Sequence, residues 1–296
     1  MSNGRTSHAP GCGRALFPAI LLFSFLTACS QPVQRPTGPA RVYDDAKDMF
    51  KRGRFDRVVE FTGDLARMVP PGPYTERARV LQVVVYSGVM QGYKILAEAY
   101  AKGAQETKNT RFQAEYKRIT NDVLRTGAQS ALGLGETAHL LTEGGQISNE
   151  LVLEAPYPTI EGPFEVAQLV KVRAGGWIEP DQQDAAAVDA QRKGIDDALA
   201  AIVGGDRPKA QAALAAGPVK ISGVDFALYL GNQLVDAASF FDRKHLRDYP
   251  KFRTLLTAAE EAAKAAQAQL KQNPNAEKEK AVKKLQDQIK AALKAT

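Results

Sequence analysis

Residues able to do chemistry are sparse in this sequence of 296 amino acids. Beyond residue 28 the histidines are His139 and His245, and neither has a second histidine three to five positions away, so the clustered spacing of a zinc site is missing. No G-x-S-x-G elbow presents a serine nucleophile, and no G-x-x-x-x-G-K-[ST] loop cradles a phosphate. Gly133-Leu134-Gly135 is too short a fragment to form either. Acidic pairs occur at Asp196-Asp197 and Glu260-Glu261. Adjacent residues on a helix point about 100° apart, so such pairs are poorly placed to flank one substrate and read as solvated surface. No catalytic, metal or cofactor site is expected, and the chain reads as a binding protein, not an enzyme.

One position does carry a chemical signature. Arg5 and Arg14 supply a positive segment, and Ala15 to Leu26 an apolar one too short to span a bilayer; Leu26-Thr27-Ala28-Cys29 then sets small residues before a cysteine. This order resembles the leader and lipobox of bacterial lipoproteins. The resemblance implies removal of residues 1–28, a diacylglycerol thioether on Cys29 and usually an N-acyl chain as well. Two or more acyl chains hold a protein stably on a membrane, where one is marginal. Enterobacterial members kept on the inner membrane carry aspartate after the cysteine, and this chain has Ser30. The resemblance therefore points to the periplasmic face of the outer membrane, a compartment without nucleic acid partners.

Composition is consistent with that address. Loss of Arg5 and Arg14 with the leader leaves 37 basic against 33 acidic residues, a net of +4. Cys12 would depart with the leader and Cys29 would be blocked by lipid, so no disulfide within one mature chain is expected. Residues 30–40, SQPVQRPTGPA, hold three prolines and no periodic apolar pattern. Residues 29–40 thus read as a lipidated tether, whose eleven residues after the cysteine reach about 30 Å at roughly 3 Å per residue.

Helical spacing begins at residue 41. Tyr43, Ala46, Met49 and Phe50 form one stripe; Gly53 interrupts; Phe55, Val58, Phe61, Leu65 and Met68 form a second stripe that ends at Pro70. This pair resembles a tetratricopeptide repeat. Taking Gly53 as the inter-helix glycine, Ala46, Phe55 and Pro70 fall at the family's small, aromatic and proline positions, which are its packing positions, while Val58 replaces the usual alanine. A weaker second unit follows, with Val80, Leu81, Val83, Val84, Val85 and Val89 predicting a helix covered on most sides. The resemblance spans about residues 41–107. Within it, Tyr43 to Pro70 followed by PPGPYTERA is similar to the opening of BamD-type outer-membrane assembly lipoproteins. A longer helix with Phe112, Tyr116, Ile119 and Val123 on one side completes a domain over 41–153.

Residues 154–180 hold four prolines and three glycines, which interrupts helices and predicts a linker, with a short extended piece around Val166 to Val172. A helical bundle is expected over 181–272. Asp181 with Asp184, Asp206, and Ser222 with Asp225 stand as helix caps, the last heading Phe226, Leu230, Leu234, Ala237 and Phe241. Leu255, Ala259, Ala262, Ala266 and Leu270 then share one face, and Pro274 ends the run. Residues 275–296 predict a basic amphipathic helix, with Val282, Leu285, Ile289 and Leu293 aligned and lysines opposite. From Asp242 to Thr296 there are 13 basic and 7 acidic side chains, a net of +6. Those lysines either solvate an ordinary terminal helix or contact anionic lipid, an acidic wall polymer or an acidic partner.

Tyr86, Tyr93 and Tyr100 are seven apart and lie along one side of a single helix. The stripe is either core or a groove that grips an extended peptide or a lipid chain. Trp177, in a Gly-Pro loop, either plugs the junction between helical halves or sits at a binding surface. The expected molecule is all-α: tetratricopeptide-like hairpins, then a second helical bundle and a basic C-terminal helix. Its expected function is that of a lipid-anchored periplasmic scaffold or adaptor for envelope proteins. The alternative is a carrier enclosing a small molecule or lipid in an apolar helical cavity.

Overall fold

Most of the apolar stripes become buried helix faces, but Phe61 and Met68, expected in the second stripe, are exposed. A computed structural model describes residues 38–142, 147–158 and 167–294, and the fold is all-α, with ten α-helices among them. Cys29, the leader and most of the tether lie outside the described residues.

Helices α1 (Pro39–Lys51) and α2 (Phe55–Ala66) form the first hairpin. Gly53 makes the turn at φ 70°, and this left-handed conformation lets its N–H reach Phe50 O (3.0 Å) while Arg54 N reaches Met49 O (2.9 Å). Ala46, Phe50, Phe55 and Val58 are buried, and the rings of Phe50 and Phe55 meet edge-on at 5.7 Å. Pro70 follows α2 in an exposed loop, joined to Val69 by a cis peptide bond.

Helices α3 (Pro73–Glu106, 34 residues) and α4 (Thr110–Thr142, 33 residues) then depart from the expected repeat pattern. A tetratricopeptide unit spends about 34 residues on two short helices. Here one helix takes that length, because the apolar run from Val80 to Met90 continues through Leu96, Ala97, Ala99 and Tyr100 without a turn residue that breaks it. By length and composition α3 could cross a membrane, but 67% of its most apolar window is buried inside the protein, so it serves as the core helix.

After α4 come strand β1 (Glu150–Leu153), α5 (Ala167–Arg173), α6 (Pro180–Val203), α7 (Arg207–Ala216), strand β2 (Val219–Ser222) and α8 (Gly223–Ala238). The strands pair antiparallel with Leu151 opposite Ile221, and Leu151 and Leu153 point into the core. This ribbon was not expected, since four residues are too few for alternation to show. The piece expected to be extended around Val172 is helical as α5; its Ala-Gln-Leu-Val-Lys-Val-Arg sequence buries Leu169 and Val172 three apart on one face. A 3₁₀ turn, Ser239–Phe241, leads to α9 (Tyr249–Gln272) and α10 (Ala276–Lys294).

The helix caps differ in part from those the sequence predicts. Asp206 accepts from Lys209 N at 3.0 Å, as expected. At α6 the cap is Glu179 rather than Asp181, because Pro180 takes the first helical position and Gln182 reaches back to Glu179 N (3.2 Å). Ser222 stands at the cap of α8 without a side-chain hydrogen bond, and Asp225 instead pairs with Lys278 of α10 at 2.7 Å.

Packing crosses the segment expected to be a linker. Helix α3 packs against α2, α4, α5 and α6, while α8, α9 and α10 pack together and lean on α4. Residues from Tyr43 to Ile289 share one hydrophobic cluster. Among the described residues of 154–180, Gly175 and Gly176 end α5 and Pro180 opens α6, but they do not divide the core. The reason is the α3–α6 crossing, where Gly88 and Gly92 meet Gly194 so closely that a methyl on Gly194 would collide with the Gly88 carbonyl oxygen. The aligned faces of the last two helices match expectation: Leu255, Ala259, Ala262, Ala266, Leu270, Val282, Leu285 and Ile289 are all buried.

Candidate functional site

Between α2, α3 and α4 lies a cleft of about 440 Å³ that opens to solvent. Its floor is polar and hydrogen-bonded. Gln82, 4% exposed in the middle of an apolar run, donates its amide to Thr62 Oγ1 (3.0 Å) and accepts from Thr137 Oγ1 (3.3 Å). Thr62 in turn donates to Val58 O (2.7 Å), while Gly133 O, 2.9 Å from Thr137 Oγ1, shares that hydroxyl's single proton with Gln82 Oε1. One glutamine on α3 thus ties α2 to α4, and Thr62, Gln82 and Thr137 are hydrogen-bonded to one another across the three helices. Arg79 closes one end: its guanidinium donates to Ala66 O (2.7 Å) and to Leu140 O (2.9 Å), capping the C-terminal carbonyls of α2 and α4 together.

Tyr86 forms a half-buried wall of the cleft, over Gly133 of α4. Burial raises its hydroxyl pKa; Glu136 adds to the rise and Arg67 opposes it. Arg67 and Glu136 face each other across the rim at 3.9 Å. Glu60 and Asp64 make that rim acidic on the α2 side, and His139 lines it from α4. Away from the cleft lining, on α2 and the loop after it, large apolar side chains face water: Phe61 is 37% exposed, Met68 40% and Val69 87%. An amide and two hydroxyls below, a tyrosine wall and an acidic rim suit recognition of a protein segment that presents both apolar and polar groups.

The tyrosine stripe is not an open groove. Tyr86 meets Gly133, Tyr93 packs beside Gly127, and Tyr100 lies 5.4 Å from Tyr116, so the three follow α4 along an antiparallel seam. Tyr93 also accepts from Gln191 of α6 (3.1 Å), and burial lifts the Tyr100 hydroxyl to about 12. Only Tyr86 reaches the cleft. Trp177 takes the plug arrangement, stacking on Phe112 (4.8 Å) and Tyr116 (5.7 Å) over a second apolar cluster shared by α3, α4, α5 and α6. Ala46, Gly53 and Phe55 belong to the α1–α2 hairpin, and Pro70 to the loop after it.

Sequence reasoning missed Gln82, Thr62, Thr137 and Arg79. The available signal was a lone glutamine between Leu81 and Val83, which must find partners if the helix is buried on all sides. Among the described residues no three His, Cys, Asp or Glu side chains gather as a metal-holding group. No protein-family pattern, curated protein or solved structure matches this chain.

Proposed function

We propose that this chain is a lipid-anchored periplasmic scaffold that binds a segment of an envelope protein in the α2–α3–α4 cleft. The single observation behind this reading is the open cleft itself, with its hydrogen-bonded polar floor and its Tyr86 wall. Binding of this kind needs a rigid concave surface and no reaction. Acyl chains on Cys29 would hold the body at the outer membrane and raise the effective concentration of a partner there. A lipid carrier calls for an enclosed apolar chamber, whereas this cleft is open and carries an amide and hydroxyls on its floor.

Gly63 offers a clean test, because it lines the cleft and a Cβ added there meets nothing nearer than the flexible tip of Arg67 at 3.9 Å, so a large side chain starts into open space. A photo-crosslinking residue at Asp64, installed in the full chain in its native envelope, is expected to capture a reproducible protein neighbour. Gly63→Trp is expected to abolish that capture while circular dichroism stays unchanged. No reproducible neighbour, or one captured equally by the filled cleft, overturns the reading. Mass spectrometry of the native product tests the anchor separately: an unacylated Cys29 removes it and leaves the cleft untouched.

A further inference from the structure

The corner that joins the 3₁₀ turn to α9 concentrates cations in a way the cleft does not. Residues 242–253, DRKHLRDYPKFR, contain five Lys and Arg and two Asp. Both acids are consumed by the chain's own N–H groups. The Asp242 carboxylate accepts from Lys244 N (2.8 Å) and His245 N (3.0 Å) and lies 2.8 Å from His245 Nδ1. Asp248 accepts from Lys251 N (3.3 Å) and pairs with Lys251 Nζ (2.7 Å), which holds its carboxyl below the usual range. Arg243, Lys244, Arg247 and Arg253 are exposed around them.

The backbone is shaped to present these groups. Arg247 adopts φ 56°, a left-handed conformation uncommon for a residue with a side chain, held by Arg247 N to Asp242 O (3.0 Å) and Arg247 Nε to Arg243 O (3.1 Å). The result is an open concavity of about 590 Å³ lined by Phe241, Asp242, Arg243, Arg247 and Tyr249. Buried Phe241 and Phe252 make its base rigid. On that base the Tyr249 ring stands 42% exposed, stacked on Phe252 at 6.2 Å with the Arg253 guanidinium 5.7 Å from its centre.

Guanidinium groups around an exposed amphipathic ring are the composition that favours the headgroup layer of an anionic bilayer, where phosphates meet the cations and the ring sits at the interface. The α10 face differs. Lys280, Lys283, Lys284 and Lys290 are exposed there, but Val282, Leu285 and Ile289 are spent on the core, so no ring or apolar group accompanies the charge. We infer that the Phe241–Arg253 corner docks on an anionic phospholipid surface, with Arg243 and Arg247 taking headgroup phosphates and Tyr249 seated among the headgroups. This contact needs no acyl chain and stands apart from the anchor proposed at Cys29.

The compact unit Pro36–Thr296 contains its own hydrophobic core and lacks Cys29, so it isolates the contact. Co-sedimentation of that unit is measured with phosphatidylcholine vesicles and with vesicles containing added phosphatidylglycerol. Binding is expected to the anionic vesicles alone and to weaken at high salt. Arg243→Gln with Arg247→Gln is expected to lower partitioning about 10-fold or more. Lys244→Gln with Arg253→Gln, which leaves the hydrogen bonds of the turn in place, is expected to act in the same direction. Absence of binding, equal binding to neutral vesicles, or loss only in a Lys280→Gln, Lys283→Gln, Lys284→Gln variant each overturns the inference. Acylation of Cys29 is read independently by mass, so the two proposals fail separately.

Discussion

Asp196 is the most perturbed carboxylate in the described part of the chain, 5% exposed on α6 with Arg207 Nε of α7 at 3.6 Å and Asp197 beside it. Burial raises its pKa to about 6, against the pull of Arg207 and with a further push from Asp197. The folded value lies above the unfolded one of about 3.9, so the folded state binds more protons between those limits. The stability this group contributes is therefore present at low pH and is lost as pH rises to about 6. Replacing the carboxylate by an amide removes that titration. Asp196→Asn is expected to stabilise the protein by about 1–3 kcal/mol at neutral pH and to flatten the stability profile between about pH 4 and 6. Urea unfolding at the two ends of that window checks it; a variant less stable than the parent at neutral pH contradicts it. The same residue scale explains Gln82, whose amide reaches a hydroxyl on each neighbouring helix and so makes a buried polar side chain tolerable.

At the scale of elements, α10 shows how an amphipathic helix divides its duties. Val282, Leu285 and Ile289 are buried against α8 and α9, Leu285 so close to Gly231 that a methyl there would touch it, while the lysines face water. Leu285→Ala is expected to cost about 2–5 kcal/mol, the range for removing a buried leucine side chain. Lys280→Gln, Lys283→Gln and Lys284→Gln together are expected to stay within about 0.5 kcal/mol per substitution, since exposed charges contribute little. Thermal unfolding of the two variants separates a helix that belongs to the body from one that merely decorates it. The α1–α2 hairpin was legible for the same reason: its stripes, its glycine turn and its length are local properties. Helix α3 was legible as a helix but not as a single helix of 34 residues, because a continuous apolar run contains no signal for where neighbours cover it.

For the described molecule, the shared core makes a prediction of its own. Trp177 is the only tryptophan, and it stacks in the cluster that joins α3 and α4 to α5 and α6, across the segment that the sequence predicts as a linker. Its fluorescence and the far-ultraviolet dichroism of all the helices are expected to change at the same denaturant midpoint, as one cooperative transition requires. Two separated midpoints would show that the 154–180 segment divides the molecule after all. Sequence periodicity alone determined that the chain is all-α, where most helices run and which faces they bury, because a 3.6-residue repeat is a property of each segment by itself. The four-residue strands, the α3–α6 crossing, the covering of the tyrosine stripe by α4 and the cleft between α2, α3 and α4 were decided by tertiary structure. Each depends on which helix meets which and in what register, and that is set by close packing between residues about a hundred positions apart or more, such as Tyr93 with Gln191 and Gln91 with Asp236.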